Sequence, residues 1–221
     1  MKRTKLSQRL LPNYTKDEEL ANSITHFAGA AMGIAVLVLS VLKSVGNTAA
    51  TISAAIYGFT MILVYTMSGI YHGMPAGTAK KVLQVLDHCS IYFLIAGTYT
   101  PILVAGFLPV FPKIGIGLLL FEWVLCVIAV TLTAIDLKKY EVFSMICYIG
   151  MGWAIICFIP QCKMIMSRHG FHLLLSGGIV YTIGAVLYGI GSKKPWMHTI
   201  FHIAVVLGSL LQFLGIILYI L

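Results

Sequence analysis

The sequence predicts an all-α integral membrane protein whose transmembrane domain is a seven-helix bundle. Three observations predict this class: 59% of the 221 residues are hydrophobic, only 10% are charged, and seven long apolar runs alternate with short polar turns. A soluble chain carries about 25% charged residues, because water faces most of its surface. The five cysteines include no Cys-x-x-Cys pair, which argues against a disulfide framework and a thiolate metal site.

Each apolar run is long enough to cross a bilayer, since about 20 residues at 1.5 Å each cover a hydrocarbon layer of about 30 Å. The predicted spans are Ser23–Leu42, Ala49–Tyr71, Val82–Val104, Ile114–Ile135, Val142–Pro160, Phe171–Ile190 and Trp196–Ile220. The connections are short and contain Gly, Pro and charged residues, so they predict antiparallel neighbours in one bundle. Residues 1–22 are then a basic cytoplasmic N-terminal segment, and residues 23–221 form a single transmembrane domain.

The Lys and Arg residues predict the orientation of the bundle. Eleven of them fall in the N-terminal segment and the second, fourth and sixth connections, whereas four fall on the other side. The positive-inside bias therefore predicts a cytoplasmic N-terminus and, with seven spans, an external C-terminus. The same topology accounts for the net charge of +8, because the basic residues are dispersed rather than gathered into a nucleic-acid surface. We expect a multi-pass protein of the cell membrane.

Polar residues gather at one end of three predicted spans. The second span ends with Ser68 and His72, the third carries Asp87 near its start, and the seventh begins with His198 and His202. Ionisable groups are costly inside a membrane, so each is a candidate functional residue. The predicted orientation places all five in the cytoplasmic leaflet.

The spacing of these residues has a chemical meaning. His198 and His202 are four residues apart and therefore share a helix face. Together with His72 they would supply three imidazoles, which is the ligand set of a catalytic Zn²⁺ site with one open position. Asp87 would then hold the attacking water and take its proton.

A structural interpretation of the same residues stays open at this point. A histidine near a helix end often contacts lipid head groups or a backbone carbonyl. Asp87 has Lys80 and Lys81 within reach as ion-pair partners. Ser68 is equally compatible with simple helix packing.

Other ionisable residues are interpreted mainly as structural. Glu122 lies in the outward half of the fourth span, where it is a helix–helix hydrogen-bonding residue or part of a substrate or proton path. His169 and His172 are expected in a solvated outer connection. Asn22 and His26 open the first span on the side of the polar cluster, without an assigned role.

The motifs together resemble a known family. They are Asn22 with His26, Ser68-x-x-x-His72, Asp87-His88 followed by Ala96-Gly-Thr-Tyr-Thr-Pro101, and His198-x-x-x-His202. In this order they resemble the haemolysin III proteins of bacteria, within the progestin and adiponectin receptor family. The resemblance extends from about Glu18 to the C-terminus.

The resemblance implies a seven-helix bundle inverted relative to G-protein-coupled receptors, with zinc held by His72, His198 and His202. It also implies that Asp87 and Ser68 contact the water at the metal. Animal relatives in the wider family are regarded as lipid amide hydrolases of the ceramidase type.

The sequence therefore predicts a zinc-dependent hydrolase of a lipid amide or ester bond, with Asp87 as the base and Ser68 fixing the water or the oxyanion. A membrane lipid is the expected partner; neither nucleic acid nor a soluble protein partner is predicted. One alternative is a haemolysin III-type cytolysin, although an inserted helix bundle has no soluble form to deliver. Another is a transporter or membrane-state regulator with structural zinc, in which Glu122 and His26 act as relay groups.

Overall fold

The computed structural model of the chain describes residue 4, residues 6–191 and residues 194–221. Four of the basic residues behind the predicted orientation lie outside these described residues: Lys2, Arg3, Lys5 and Lys193. Six helical stretches of the described chain are long and apolar enough to cross a membrane. The prediction of a multi-pass helical membrane protein is confirmed at this level.

The described helices follow one another with short connections. They are α1 (Lys16–Lys43), α2 (Thr48–Gly73), α3 (Thr78–Pro101), α4 (Pro112–Ile135), α5 (Glu141–Trp153), α6 (Ile159–Gly191) and α7 (Met197–Tyr219). The α3 helix continues past Pro101 through a π-helical stretch, Ile102–Phe107, and a short helix, Leu108–Val110. A 3₁₀ stretch, Ala154–Phe158, joins α5 to α6.

The stretch from α5 to α6 turns back on itself. As one apolar stretch it covers Glu141–Ile190, 50 residues, which would measure about 75 Å if straight, against a hydrocarbon layer of about 30 Å. Ser167 breaks the helix with φ 61° and ψ 172°. Trp153 Nε1 donates a 3.0 Å hydrogen bond to Thr182 Oγ1. Because a straight helix would separate these two residues widely, α5 and the second half of α6 must lie side by side.

The first helix begins at Lys16, seven residues before the predicted first span. Thr15 caps it, because the Thr15 hydroxyl accepts from the backbone N–H of Glu18 while the Glu18 carboxylate accepts from the backbone N–H of Thr15. This capping box makes the charged first turn helical. Glu18 also accepts a 2.6 Å hydrogen bond from the backbone N–H of Trp196, which has a left-handed φ of 65° just before α7. One carboxylate thus connects the starts of α1 and α7.

Close helix approach holds the bundle together around the polar end. α1 packs along α2, α2 along α3, and α6 along α7, while α1 also contacts α7. A Cβ added at Gly58 would lie 2.5 Å from the Leu37 Cα, so α1 and α2 meet backbone to backbone. In lipid, such close packing replaces the hydrophobic effect as the force between helices. The result brings the ends of α1, α2 and α7 to one place.

Candidate metal centre

Three histidine side chains converge between α2 and α7. His72 lies in the last turn of α2, and His198 and His202 lie in the first two turns of α7. The Nε2 atom of His198 is 3.3 Å from Nε2 of His72 and 2.9 Å from Nε2 of His202. All three residues are buried, and their ligand atoms lie within 4.8 Å of one another. The spacing argument from the sequence therefore describes a real cluster.

The distances suit a metal ion. A tetrahedral Zn²⁺ site with Zn–N bonds of 2.0–2.1 Å separates its nitrogen ligands by about 3.3 Å. The two Nε2–Nε2 separations that involve His198, 3.3 and 2.9 Å, fall close to that value. The cluster is therefore compact enough to serve as a candidate site for a small tetrahedral cation.

Proton counting points the same way. His72 Nδ1 lies 2.7 Å from a Glu19 carboxylate oxygen, so in the neutral ring Nδ1 carries the proton and Nε2 only accepts. The His198 Nε2 atom faces two imidazole nitrogens but has at most one proton to donate. If His198 Nε2 is protonated, it can donate a hydrogen bond to only one of the two nitrogens. If it is not protonated, no proton lies between His198 Nε2 and His72 Nε2. A cation among the three nitrogens would satisfy all of them at once.

Polar side chains from α1 surround the cluster. Asn22, fully buried, accepts a 2.6 Å hydrogen bond from Thr199 Oγ1, and its amide nitrogen lies 3.5 Å from His72 Nδ1. The His26 ring stacks on the His202 ring with centroids 3.7 Å apart. Within the described residues, neither ring nitrogen of His26 has a hydrogen-bond partner. Asn22 and His26, which the sequence placed on the side of the polar cluster without a role, thus pack directly against the histidines.

Asp87 and Ser68 face the same cavity as His198 and His202. Ser68 is buried one turn before His72, as predicted from its spacing. The Asp87 carboxylate is 3.8 Å from His88 Nδ1. Lys80 does not neutralise it, because the Lys80 ammonium instead pairs with Glu19 at 2.7 Å. Lys80 is therefore not the ion-pair partner of Asp87, and a pairing with Lys81 stays a prediction.

The cavity extends from the histidines into an apolar interior. Its volume is about 1610 Å³, larger than the 300–1,000 Å³ of ordinary ligand pockets. Beyond the polar end it is lined by aliphatic side chains that include Ile91, Leu94, Leu174 and Val205. The cavity thus combines polar side chains of the cluster region with an aliphatic wall.

Tyr14 is a site residue that the sequence did not reveal. Its ring stacks on His198 with centroids 4.8 Å apart and lies 5.9 Å from the His72 ring. Burial raises the pKa of the Tyr14 phenol well above its ordinary value. A tyrosine just ahead of a helix carries no signal of its own, and only the tertiary structure places it on the cluster.

The remaining candidates lie away from the cluster. Glu122 is fully buried in α4, outside the lining of the cavity, and within the described residues neither of its carboxylate oxygens has a hydrogen-bond partner. His169 and His172 are exposed, in agreement with the prediction.

Fold and site together define a polytopic helical membrane protein with a buried three-histidine cluster beside a large cavity. The sequence model of the family described as "Haemolysin-III related" matches residues 14–213. The chain therefore belongs to the haemolysin III family, which confirms the resemblance predicted from the motifs. It is a multi-pass protein of the cell membrane.

Similar proteins occur in bacteria and in animals. The chain is 35% identical over 206 residues to "Hemolysin-3" of Bacillus cereus, a match that covers 92% of each chain. It is 34% identical over 208 residues to "Hemolysin-3 homolog" of Bacillus subtilis, covering 93% of this chain and 96% of that protein. It is 24% identical over 172 residues to human "Monocyte to macrophage differentiation factor", covering 75% and 69% of the two chains. The human match is consistent with the wider progestin and adiponectin receptor family.

Proposed function

We propose that the protein is a zinc-dependent hydrolase of an amide or ester bond in a membrane lipid. The observation that carries the proposal is the convergence of three histidine side chains, two of which, His198 and His202, line the same cavity as Asp87 and Ser68. Three histidines suit a catalytic zinc site, since such sites leave one position open. The cavity has the volume and the aliphatic lining residues that could accommodate a lipid chain.

His72, His198 and His202 would hold the ion. When bound, zinc supplies Lewis acidity that polarises an acyl carbonyl and lowers the pKa of water toward 7. The residues of this chain supply the remaining functions. The aliphatic cavity wall would seat the acyl chain and exclude bulk water from the reacting bond.

Asp87 is assigned the role of general base. As the water oxygen attacks the acyl carbon, the Asp87 carboxylate takes a proton from that water, and the carbon–nitrogen or carbon–oxygen bond breaks. The same proton then passes to the leaving amine or alcohol, so that acid and alcohol or amine are released. Ser68 would orient the water, or donate its hydroxyl proton in a hydrogen bond to the carbonyl oxygen.

The topology belongs to the same proposal: seven spans with the N-terminus in the cytoplasm. The reversal between Trp153 and Thr182 supports two crossings within Glu141–Ile190. Single cysteines at the exposed positions Ala79 and Lys138, in a background without native cysteines, should react from the cytoplasm. Cysteines at Val45 and Arg168 should react from outside. The reverse pattern would contradict the orientation.

Lipid turnover tests the hydrolase directly. Purified protein in lipid nanodiscs should release fatty acid from a panel of amide- and ester-linked lipids, lose this activity to a zinc chelator, and regain it with added Zn²⁺. Turnover that is unchanged by full zinc removal, or absent from zinc-loaded protein across the panel, would contradict the proposal.

Lysis is the second candidate, favoured by the name of the Bacillus cereus relative, Hemolysin-3. It predicts that purified protein added from outside breaks red-cell membranes. We expect no lysis, because the described chain devotes six stretches to apolar helices that require insertion into a membrane. Lysis that survives substitution of the three histidines would favour this candidate over hydrolysis.

A further inference from the structure

The carboxylate of Glu19 bridges a histidine of the cluster and a buried lysine. One of its oxygens lies 2.7 Å from His72 Nδ1, and the other lies 2.7 Å from Lys80 Nζ. The three residues come from α1, α2 and α3, so the bridge spans three helices. The His72 side chain is fully buried, that of Lys80 is 6% exposed and that of Glu19 is 20% exposed, so the contacts are largely shielded from water.

This bridge decides which nitrogen of His72 is free. An ionised carboxylate only accepts hydrogen bonds, so the proton at the 2.7 Å contact must be on His72 Nδ1. The lone pair of the neutral ring is then on Nε2, the atom that faces His198. Glu19 thus selects the tautomer that a metal ligand needs and fixes the direction of the ring.

Lys80 holds the carboxylate in turn. Its ammonium also donates to the backbone oxygens of His72 and Met74, at 3.2 and 2.9 Å. These bonds use all three protons of the ammonium and satisfy two carbonyls at the C-terminal end of α2. A buried ion pair contributes when further hydrogen bonds complete it, as they do here. The carboxylate therefore has a fixed position relative to the helix that carries His72.

A second histidine of the cluster offers a contrast. Within the described residues, Nδ1 of His202 has no hydrogen-bond partner, although it is equally buried. The His72 ring thus contacts a carboxylate, whereas the His202 ring stacks on His26.

We propose that Glu19 is a positioning residue that orients His72 for metal binding, with Lys80 fixing Glu19. The inference rests on the proposed role of His72 as a metal ligand. Carboxylates behind metal-bound histidines typically change metal affinity by about 10- to 100-fold. Neither residue was a candidate for this role in the sequence, where Glu19 belongs to a charged run ahead of the first predicted span.

The test measures metal affinity rather than turnover. Full-length wild type and Glu19→Gln, purified in detergent, are titrated with Zn²⁺ against a competing chelator and with Co²⁺ while its visible absorption is recorded. Glu19→Gln should bind Zn²⁺ about 10- to 100-fold more weakly and shift the Co²⁺ spectrum. Glu19→Asp, which keeps the charge, should recover part of the affinity.

The control is Asp17→Asn, which removes one charge from an exposed position in the same first turn of the helix and should leave affinity and spectrum unchanged. If Glu19→Gln folds poorly, Lys80→Met is the second variant, with a smaller loss of affinity in the same direction. Affinity within twofold of wild type in Glu19→Gln, or in Lys80→Met where that variant replaces it, overturns the inference. Zinc-loaded wild type without lipid turnover would instead contradict the hydrolase and leave the role of Glu19 intact.

Discussion

The histidine cluster and Glu122 are both ionisable groups buried between helices of one bundle, but their surroundings differ. The cluster is contacted by Glu19, Asn22 and His26 of α1, and it opens on a large cavity. Glu122 lies outside that cavity lining, and in the described chain its carboxylate oxygens have no hydrogen-bond partner. Both regions are buried, so burial alone does not identify a functional site. The histidine cluster differs from Glu122 because several polar side chains contact it and because it borders a cavity.

Turnover should separate the two regions most strongly. Asp87→Asn is nearly isosteric and should keep the zinc, yet it should lower lipid hydrolysis by about 10²-fold, the usual contribution of a positioned base. Glu122→Gln should leave hydrolysis unchanged, because Glu122 does not line the cavity. Ser68→Ala should have a milder effect than Asp87→Asn, since the hydroxyl is proposed to hydrogen-bond the water or the carbonyl oxygen rather than to take a proton.

Initial rates of fatty-acid release, with zinc content measured on the same samples, check these expectations. If Asp87→Asn loses its zinc, Asp87 is a metal ligand rather than the base. If it keeps both zinc and full turnover, the hydrolase loses its base.

Substitution of Glu122 should raise the stability of the protein, whereas substitution of Asp87 should lower its turnover. Replacing it with Met fills similar space without a buried polar group that lacks a partner, so the free energy of unfolding should rise by about 1–3 kcal/mol. Chemical denaturation in detergent micelles measures this change. Glu141→Gln, at the exposed start of α5, is the control and should shift stability by less than about 0.5 kcal/mol. A loss of stability in Glu122→Met would indicate a partner for this carboxyl and weaken the contrast.

The sequence predicts the helices better than it predicts their mutual rotation. Hydropathy locates the apolar runs, because lipid demands about 20 apolar residues per span. The early start of α1 was also within reach, since Thr15 and Glu18 form a capping-box pattern. The break at Ser167 was within reach as well, since it falls in the connection predicted between the spans Val142–Pro160 and Phe171–Ile190. The helical conformation on both sides of the break was not, because Gly and charged residues there indicated a turn.

Part of the site was equally accessible from the sequence. The spacing of His198 and His202, and the shared side of His72, brought the three histidines together correctly. The contacts of Glu19 and Tyr14 were not accessible, since they depend on which face of α1 meets α2 and on the path of the segment before α1. Apolar side chains cover most faces of these helices, so the periodicity of the sequence does not determine which face of α1 meets α2.

The smallest expected effect on stability concerns Asp136, which holds the segment that precedes α1. Backbone N–H groups of Thr4 and Lys139 donate to the Asp136 carboxylate and hold its pKa below its usual value. A lowered pKa in the folded state means that the stabilisation is present above the unfolded value of about 3.9 and is lost as pH falls through the folded value.

Asp136→Ala should weaken attachment of this segment by about 1–2 kcal/mol near neutral pH. Hydrogen exchange of residues 6–15 should then be faster in the variant, and the difference from wild type should vanish in acid. Glu141→Ala, which removes an exposed carboxylate nearby, should leave the exchange unchanged. A difference that persists below the folded pKa would show that the carboxylate charge is not what holds the segment.

Zinc content tests the central claim most directly. Purified wild type should contain about one zinc per chain, and His72→Ala, His198→Ala and His202→Ala should each lose it, because two remaining ligands hold zinc too weakly. His169→Ala removes an exposed histidine outside the cluster and should retain full zinc. Elemental analysis of the four variants beside wild type decides the matter: full zinc occupancy in any two of the three cluster variants would contradict the metal centre.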